Sequence, residues 1–174
     1  MLNEPQDRVN IAGAARAMLN TGLWRLRLVR PAEYDAYRIT GIAHGTEALL
    51  EEVEFFDDLA SALADAQHVV GTSARRRTAS YVWQRPRDAA PELVALGGPA
   101  PIALVFGRED YGLSNEDLDL CDRVLVAPTN PDHASLNLAQ AVLLVCYELS
   151  LAATDAGPLP EPKRTAPAAA SDSS

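Results

Sequence analysis

Apolar residues fill Ile102 to Phe106 without interruption and stop at Gly107, where the charged run Arg108-Glu109-Asp110 begins. A short apolar run closed by glycine reads as a buried strand. The loop GREDYG then leads into Ser114-Asn115-Glu116-Asp117, whose S-x-x-[DE] form is a capping box and predicts a short helix. Similar alternations recur along the chain. Asn10 is an N-cap candidate for a helix over IAGAARAMLN, ended by Gly22 as the residue after its C-cap. Trp24 to Val29, His68 to Val70 and Arg123 to Ala127 read as strands. Thr46 to Glu54, Leu59 to Ala66 and Ser135 to about Ala153 read as helices, the last being the longest. Between Tyr81 and Leu96 the pattern is ambiguous; a helix from Pro86 is suggested, with Pro91 working against it.

Strands alternating with helices predict an α/β fold, a mostly parallel sheet with helices on both faces. Ligands of such sheets bind at the carboxyl ends of the strands. Three polar loops follow strands directly: GTSARRR after Val70, GREDYG after Phe106 and PTNPDHAS after Ala127. Their convergence predicts one ligand pocket. Residues 1–154 form the expected domain. Residues 155–174, rich in Pro, Ala and Ser, carry too little apolar surface to order themselves and are expected to be a disordered tail.

Composition narrows the function classes. The chain has 174 residues, 48% of them hydrophobic and 22% charged, which suits one soluble globular domain with a proper core. No apolar run approaches the roughly 20 residues of a membrane helix, and the start MLNEPQDRVN has no secretion-signal pattern. Cys121 and Cys146 lack metal-ligand spacing, so neither a metal site nor a disulfide is expected, and a reducing cytoplasm suits both thiols. A net charge of −9 argues against a nucleic-acid partner. The distribution softens this, because arginines gather between Arg8 and Arg38 and again from Arg75 to Arg87, with Lys163 the one lysine. Arginine's planar fork suits phosphate.

GREDYG is neither a Walker loop nor a dinucleotide fingerprint. Its carboxylates repel pyrophosphate and better tolerate a ligand with positive charge, such as a sulfonium bearing an amino group. Alone, the loop is best read as a tight turn with solvated acids. Together with NIAGAARAM and PTNPDHASLNLAQAVLLVCYEL, however, LVFGREDYGLSNEDLDLCD resembles the three signature motifs of the SpoU (TrmH-like) branch of the SPOUT superfamily. GTSARRRT is similar to the TrmJ-type tRNA methyltransferases in particular.

That resemblance implies an S-adenosylmethionine-dependent RNA ribose 2′-O-methyltransferase, with tRNA the preferred substrate and its anticodon loop the preferred site. Ribosomal RNA is the runner-up substrate, and a knotted RNA-binding module without turnover is the alternative of another class. It also implies a C-terminal deep trefoil knot, a homodimer and a cytoplasmic location. The cofactor site would comprise Thr72, Ser73, Ala74, Gly107, Glu109, Ala127, Ala134, Ser135, Leu136 and Asn137. Arg16 matches the family's catalytic arginine, with Asn10, Glu109 and Ser135 as further candidates, and Arg16, Arg75, Arg76 and Arg77 would contact RNA. Glu109 is expected to orient loops, and Asn137 to tie a loop through its amide. Gly107 is expected to admit the cofactor without a Cβ in the way. Tyr81 and Trp83 suit either base stacking or core packing. The family's first strand is reduced here to MLNEP, which suggests either a weakened edge strand or a start internal to a longer sequence. On the last helix, the stripe Leu136, Ala139, Leu143, Cys146 and Leu149 suits either core or dimer interface.

Overall fold

A computed structural model describes residues 1–76, 80–97 and 101–154. Arg77 and the segment read as a disordered tail, 155–174, lie outside the described residues. Among those described are the strands β1 (Leu2–Asn3), β2 (Arg27–Val29), β3 (Glu54–Phe56), β4 (His68–Ser73), β5 (Trp83–Gln84), β6 (Ile102–Val105) and β7 (Arg123–Val126). The helices are α1 (Arg8–Asn20), α2 (Ala36–Ile42), α3 (Glu47–Glu51), α4 (Leu59–Leu63), α5 (Pro86–Leu96), α6 (Asn115–Leu118) and α7 (Leu138–Ala153).

All strand pairs are parallel, in the orders β1-β2-β3 and β5-β7-β4-β6. The two sheets meet where Leu2 bridges Phe106: Asn3 N–H donates to the Phe106 carbonyl at 2.8 Å and Phe106 N–H to the Met1 carbonyl at 3.1 Å. MLNEP is therefore an interior seam and not a weakened edge, and both Leu2 and Asn3 are buried.

Strand alternation sends side chains to two cores. Val70 and Leu125 join Ile11, Ala15, Leu93, Leu138 and Val142 on the face covered by α1, α5 and α7. Val69, Val105 and Val124 join Leu59, Leu63, Leu113 and Leu118 on the face covered by α4 and α6. Helices cover both faces, as the alternation predicts.

Local differences have local causes. The predicted helix Thr46–Glu54 stops at Glu51, and Glu54–Phe56 pairs with β2 as a strand. Pro86 stands in the first turn of α5, where its missing N–H costs nothing, while Pro91 lies inside the helix. The stripe read on α7 divides: Cys146 is core, and Ala139 lies so close to α1 that a Cβ on Gly13 would fall 2.6 Å from its methyl. The exposed apolar line keeps Leu143 of that stripe and continues through Tyr147 and Leu151.

Candidate active site

The loops after β4, β6 and β7 meet at a cavity of about 1050 Å3. Thr72, Ser73, Ala74, Gly107, Glu109, Ala127, Ala134, Ser135 and Leu136 all border it, as do Arg75 and Arg76. Asn10, Arg16 and Asn137 do not. Small residues leave backbone polar groups along much of the wall. Thr72 Oγ1 donates to the Val105 carbonyl at 2.9 Å, tying β4 to β6 beneath the cavity. Thr129 Oγ1 donates to the Ala134 carbonyl at 3.0 Å and so closes the loop that presents Ser135.

The GREDYG loop folds back on itself. A Cβ on Gly107 would lie 2.1 Å from the Gly112 carbonyl carbon and 2.2 Å from Leu113 N, a closer approach than any side chain permits. The steric need for this glycine thus comes from its own loop. Gly112 has φ +73°, which glycine adopts freely. The two acids have separate tasks. Asp110 takes Arg108 in a two-pronged pair at 3.0 and 2.8 Å and accepts Tyr111 N–H at 3.1 Å. The guanidinium holds the Asp110 carboxyl below its usual range, and the carboxylate pushes Arg108 up in return.

Glu109 turns the other way, toward the first motif. Its carboxylate accepts Gln6 N–H at 3.1 and 2.9 Å, Asp7 N–H at 3.1 Å and Asn10 Nδ2 at 3.0 Å. Asn10 Oδ1 accepts Asn137 Nδ2 at 2.8 Å, and Asn137 Oδ1 caps α7 by accepting Ala139 N–H at 2.9 Å and Gln140 N–H at 3.3 Å. One hydrogen-bonded line thus joins all three motifs. It corrects the reading of Asn10 as an N-cap: Asp7 caps α1, accepting Val9 N–H at 2.8 Å, and Asn10 lies inside the first turn. It also moves the start of α7 to Leu138, leaving Ser135 in the preceding loop.

The line crosses a wall between two spaces. Glu109 borders the large cavity, whereas Asn10 and Asn137 border a separate groove of about 460 Å3 that also contains Arg16. Arg16 is exposed there, with Nη1 donating to the His44 carbonyl. Tyr81 and Trp83 pack against the second core, and the Tyr81 hydroxyl donates to Asp119 Oδ1 at 2.5 Å. Burial pushes the Cys121 thiol up to about 12 and raises that of Cys146, so neither is a nucleophile near neutral pH. Among the described residues no cluster has the make-up of a metal site, and no helix is long and apolar enough to cross a membrane.

The contribution missed in the sequence is that of Tyr111, an aromatic inside an acidic glycine loop. It borders the large cavity, and Arg108 lies over its ring at 4.6 Å.

Comparison with known proteins gives concordant matches. The SpoU rRNA Methylase family matches residues 1–147. The tRNA (cytidine/uridine-2′-O-)-methyltransferase TrmJ of Photorhabdus laumondii is 40% identical over 152 residues, 87% of this chain and 63% of that protein. The chain thus spans somewhat under two thirds of such a relative's length. Among solved structures, TrmJ from Z. mobilis superposes with a TM-score of 0.81 at 38% identity, covering 92% of this chain and 70% of that one. A methylase-family protein from Haemophilus influenzae gives 0.82 at 42% identity, covering 87% and 64%.

Proposed function

The chain belongs to the SpoU rRNA Methylase family, and from that premise we propose that it methylates a ribose 2′-hydroxyl of RNA using S-adenosylmethionine. Transfer RNA is the substrate of this reading, at the anticodon loop; the similarity to tRNA (cytidine/uridine-2′-O-)-methyltransferases supports it. The same reading makes the C-terminal part a trefoil knot and the protein a cytoplasmic homodimer. The observation that carries it is the polar line Glu109–Asn10–Asn137, which fastens the wall of the cavity to the groove of Arg16.

The residues fit the cofactor. Ala74, Ala127 and Ala134 border the cavity and leave room and backbone hydrogen-bonding groups for an adenine. When bound, S-adenosylmethionine supplies an electrophilic methyl group.

The protein's own part is positioning. Arg16 presents a planar guanidinium whose paired N–H groups match a phosphate. It orients an RNA phosphate and stabilises the negative charge that develops as the 2′-hydroxyl gives up its proton. Arg75 and Arg76, at the cavity rim, add phosphate contacts. Because Arg16 lies outside the cavity of its own chain, a second protomer supplies it, docking through surfaces such as Leu143, Tyr147 and Leu151.

Replacing Arg16 by Ala tests the reading. Transfer to tRNA is expected to be lost while calorimetric affinity for S-adenosylmethionine is kept. Wild-type turnover in the variant would remove Arg16 from the mechanism.

A further inference from the structure

Arg8, Arg25, Arg27, Arg30, Arg108 and Arg123 each pair with a carboxylate of this acidic chain. Arg16 forms no ion pair among the described residues. Its Nη1 donates instead to the His44 carbonyl, a neutral acceptor that takes one N–H and cancels no charge. The rest of the fork is left for an anion in the groove that Arg16 shares with Asn10, His44 and Asn137.

The turn that offers this carbonyl is fixed by its own residues. Between the end of α2 at Ile42 and the start of α3 at Glu47, Gly45 takes φ +81°, a left-handed value open to glycine. A Cβ there would stand 3.5 Å from Arg16 Nη1, so the turn lies directly against the guanidinium. Thr46 is 0% exposed and immediately precedes α3, a place where a threonine hydroxyl ordinarily caps the helix. Here it makes no cap. Its Oγ1 donates back to the Ala43 carbonyl at 2.6 Å and closes the turn around His44. The hydroxyl is committed to the shape of the turn and not to the helix.

We propose that turn 43–46 aims Arg16 for methyl transfer. The Thr46 hydroxyl sets the His44 carbonyl, and that carbonyl holds the guanidinium in the direction from which it meets the RNA phosphate. An arginine side chain gives up much rotamer freedom when it is ordered, and one anchored before RNA arrives has already done so. Thr46 touches no substrate in this account; it is a positioning residue that acts through Arg16. The proposal rests on the RNA methyltransferase reading and adds what directs its arginine.

The test compares Thr46→Val, which keeps the side-chain shape without the hydroxyl, with Thr46→Ser, which keeps the hydroxyl. Steady-state kinetics on unmodified tRNA are set beside calorimetric affinity and stoichiometry for S-adenosylmethionine. NMR relaxation of the 15N-labelled Arg16 guanidinium, assigned by its loss in Arg16→Ala, is followed without RNA. A positioning group displaced by about 1 Å costs on the order of 100-fold, so Thr46→Val is expected to lower kcat by about 10- to 100-fold. KM for tRNA and the binding of S-adenosylmethionine should stay near wild type, as for an interaction realised in the transition state. The Arg16 signal should be ordered in wild type and Thr46→Ser and mobile in Thr46→Val. Wild-type kcat in Thr46→Val overturns the proposal, and so does a loss of kcat that Thr46→Ser shares. A guanidinium that is already mobile in the wild type overturns it without any variant. A wild-type protein that binds S-adenosylmethionine but methylates no RNA removes the parent reading, whereas failure of the turn alone leaves wild-type transfer intact.

Discussion

Asn137 donates from Nδ2 to Oδ1 of Asn10 at 2.8 Å, across 127 residues of sequence. The direction of that bond is dictated from both ends. The Glu109 carboxylate only accepts, so Asn10 must present its NH2 to it and its oxygen to Asn137. The first N–H groups of α7 only donate, so Asn137 must present its oxygen to them and its NH2 to Asn10. Both amide orientations follow from the network and neither can flip alone.

Asn137 therefore does two separable jobs. Asn137→Ser keeps an N-cap oxygen but is too short to reach Asn10, whereas Asn137→Ala loses both. The cap alone contributes about 1 kcal/mol. We expect thermal denaturation to show Asn137→Ala as the less stable of the two by about that amount. Both variants should lose most methyl transfer. Full activity in Asn137→Ser would reduce the asparagine to a cap.

Asn10→Asp places a second carboxylate against Glu109, and the variant should be least stable at neutral pH and recover as the pH falls. Like charges raise the pair's affinity for a proton, and once protonated the new side chain can donate to Glu109 as the amide did. A chemical-denaturation series from pH 8 to about pH 4 reads this directly. A flat difference from wild type across that range would mean that the two groups do not face each other.

Much of this site is hidden from local pattern for a physical reason. The capping box at Ser114 is legible because its partners are three residues apart: Ser114 N–H donates to Asp117 Oδ2 at 2.9 Å and Asp117 N–H to Ser114 Oγ at 3.1 Å. Asn10 has the same capping chemistry, but its partners lie 99 and 127 residues away, and Asp7 takes the local role. Strands β1 and β3 escape periodicity because two or three residues establish no period, and β1 is fixed by Phe106. The three loops were legible because each follows a strand. That they share a wall with the groove of Arg16 was not, since it depends on how α1 and α7 pack.

Gly107→Ala should unfold the GREDYG loop. Its Cβ would meet backbone atoms at 2.1 and 2.2 Å, and backbone has no rotamer with which to retreat. Overpacking of this kind costs about 1–3 kcal/mol or more. Gly112→Ala, strained by φ +73°, should cost about 1–2 kcal/mol. Urea midpoints of the two variants give the order. Equal losses would contradict the close approach at Gly107.

Acid stability should depend on Asp65. Its carboxylate takes Arg27 Nη1 and Nη2 at 2.6 and 2.7 Å, and Arg27, 8% exposed, holds it well below the usual carboxylate range. A folded-state pKa depressed below the unfolded value of about 3.9 stabilises fully above that value, and the benefit is lost as the pH falls through the folded pKa. Asp65→Asn should therefore be less stable than wild type at pH 7, with the gap narrowing below about pH 4. A gap that widens on acidification would contradict the pairing.

The central claim is a methyl group placed on a ribose oxygen of RNA. We would incubate the protein with unmodified tRNA, and separately with unmodified ribosomal RNA, in the presence of methyl-labelled S-adenosylmethionine, then hydrolyse each RNA in alkali. Alkaline cleavage needs a free 2′-hydroxyl, so a 2′-O-methylated residue emerges in an uncleaved dinucleotide. The account predicts label in such a dinucleotide from tRNA. Label only from ribosomal RNA would overturn the substrate, and label in single nucleotides, or in neither RNA, would contradict ribose methylation itself.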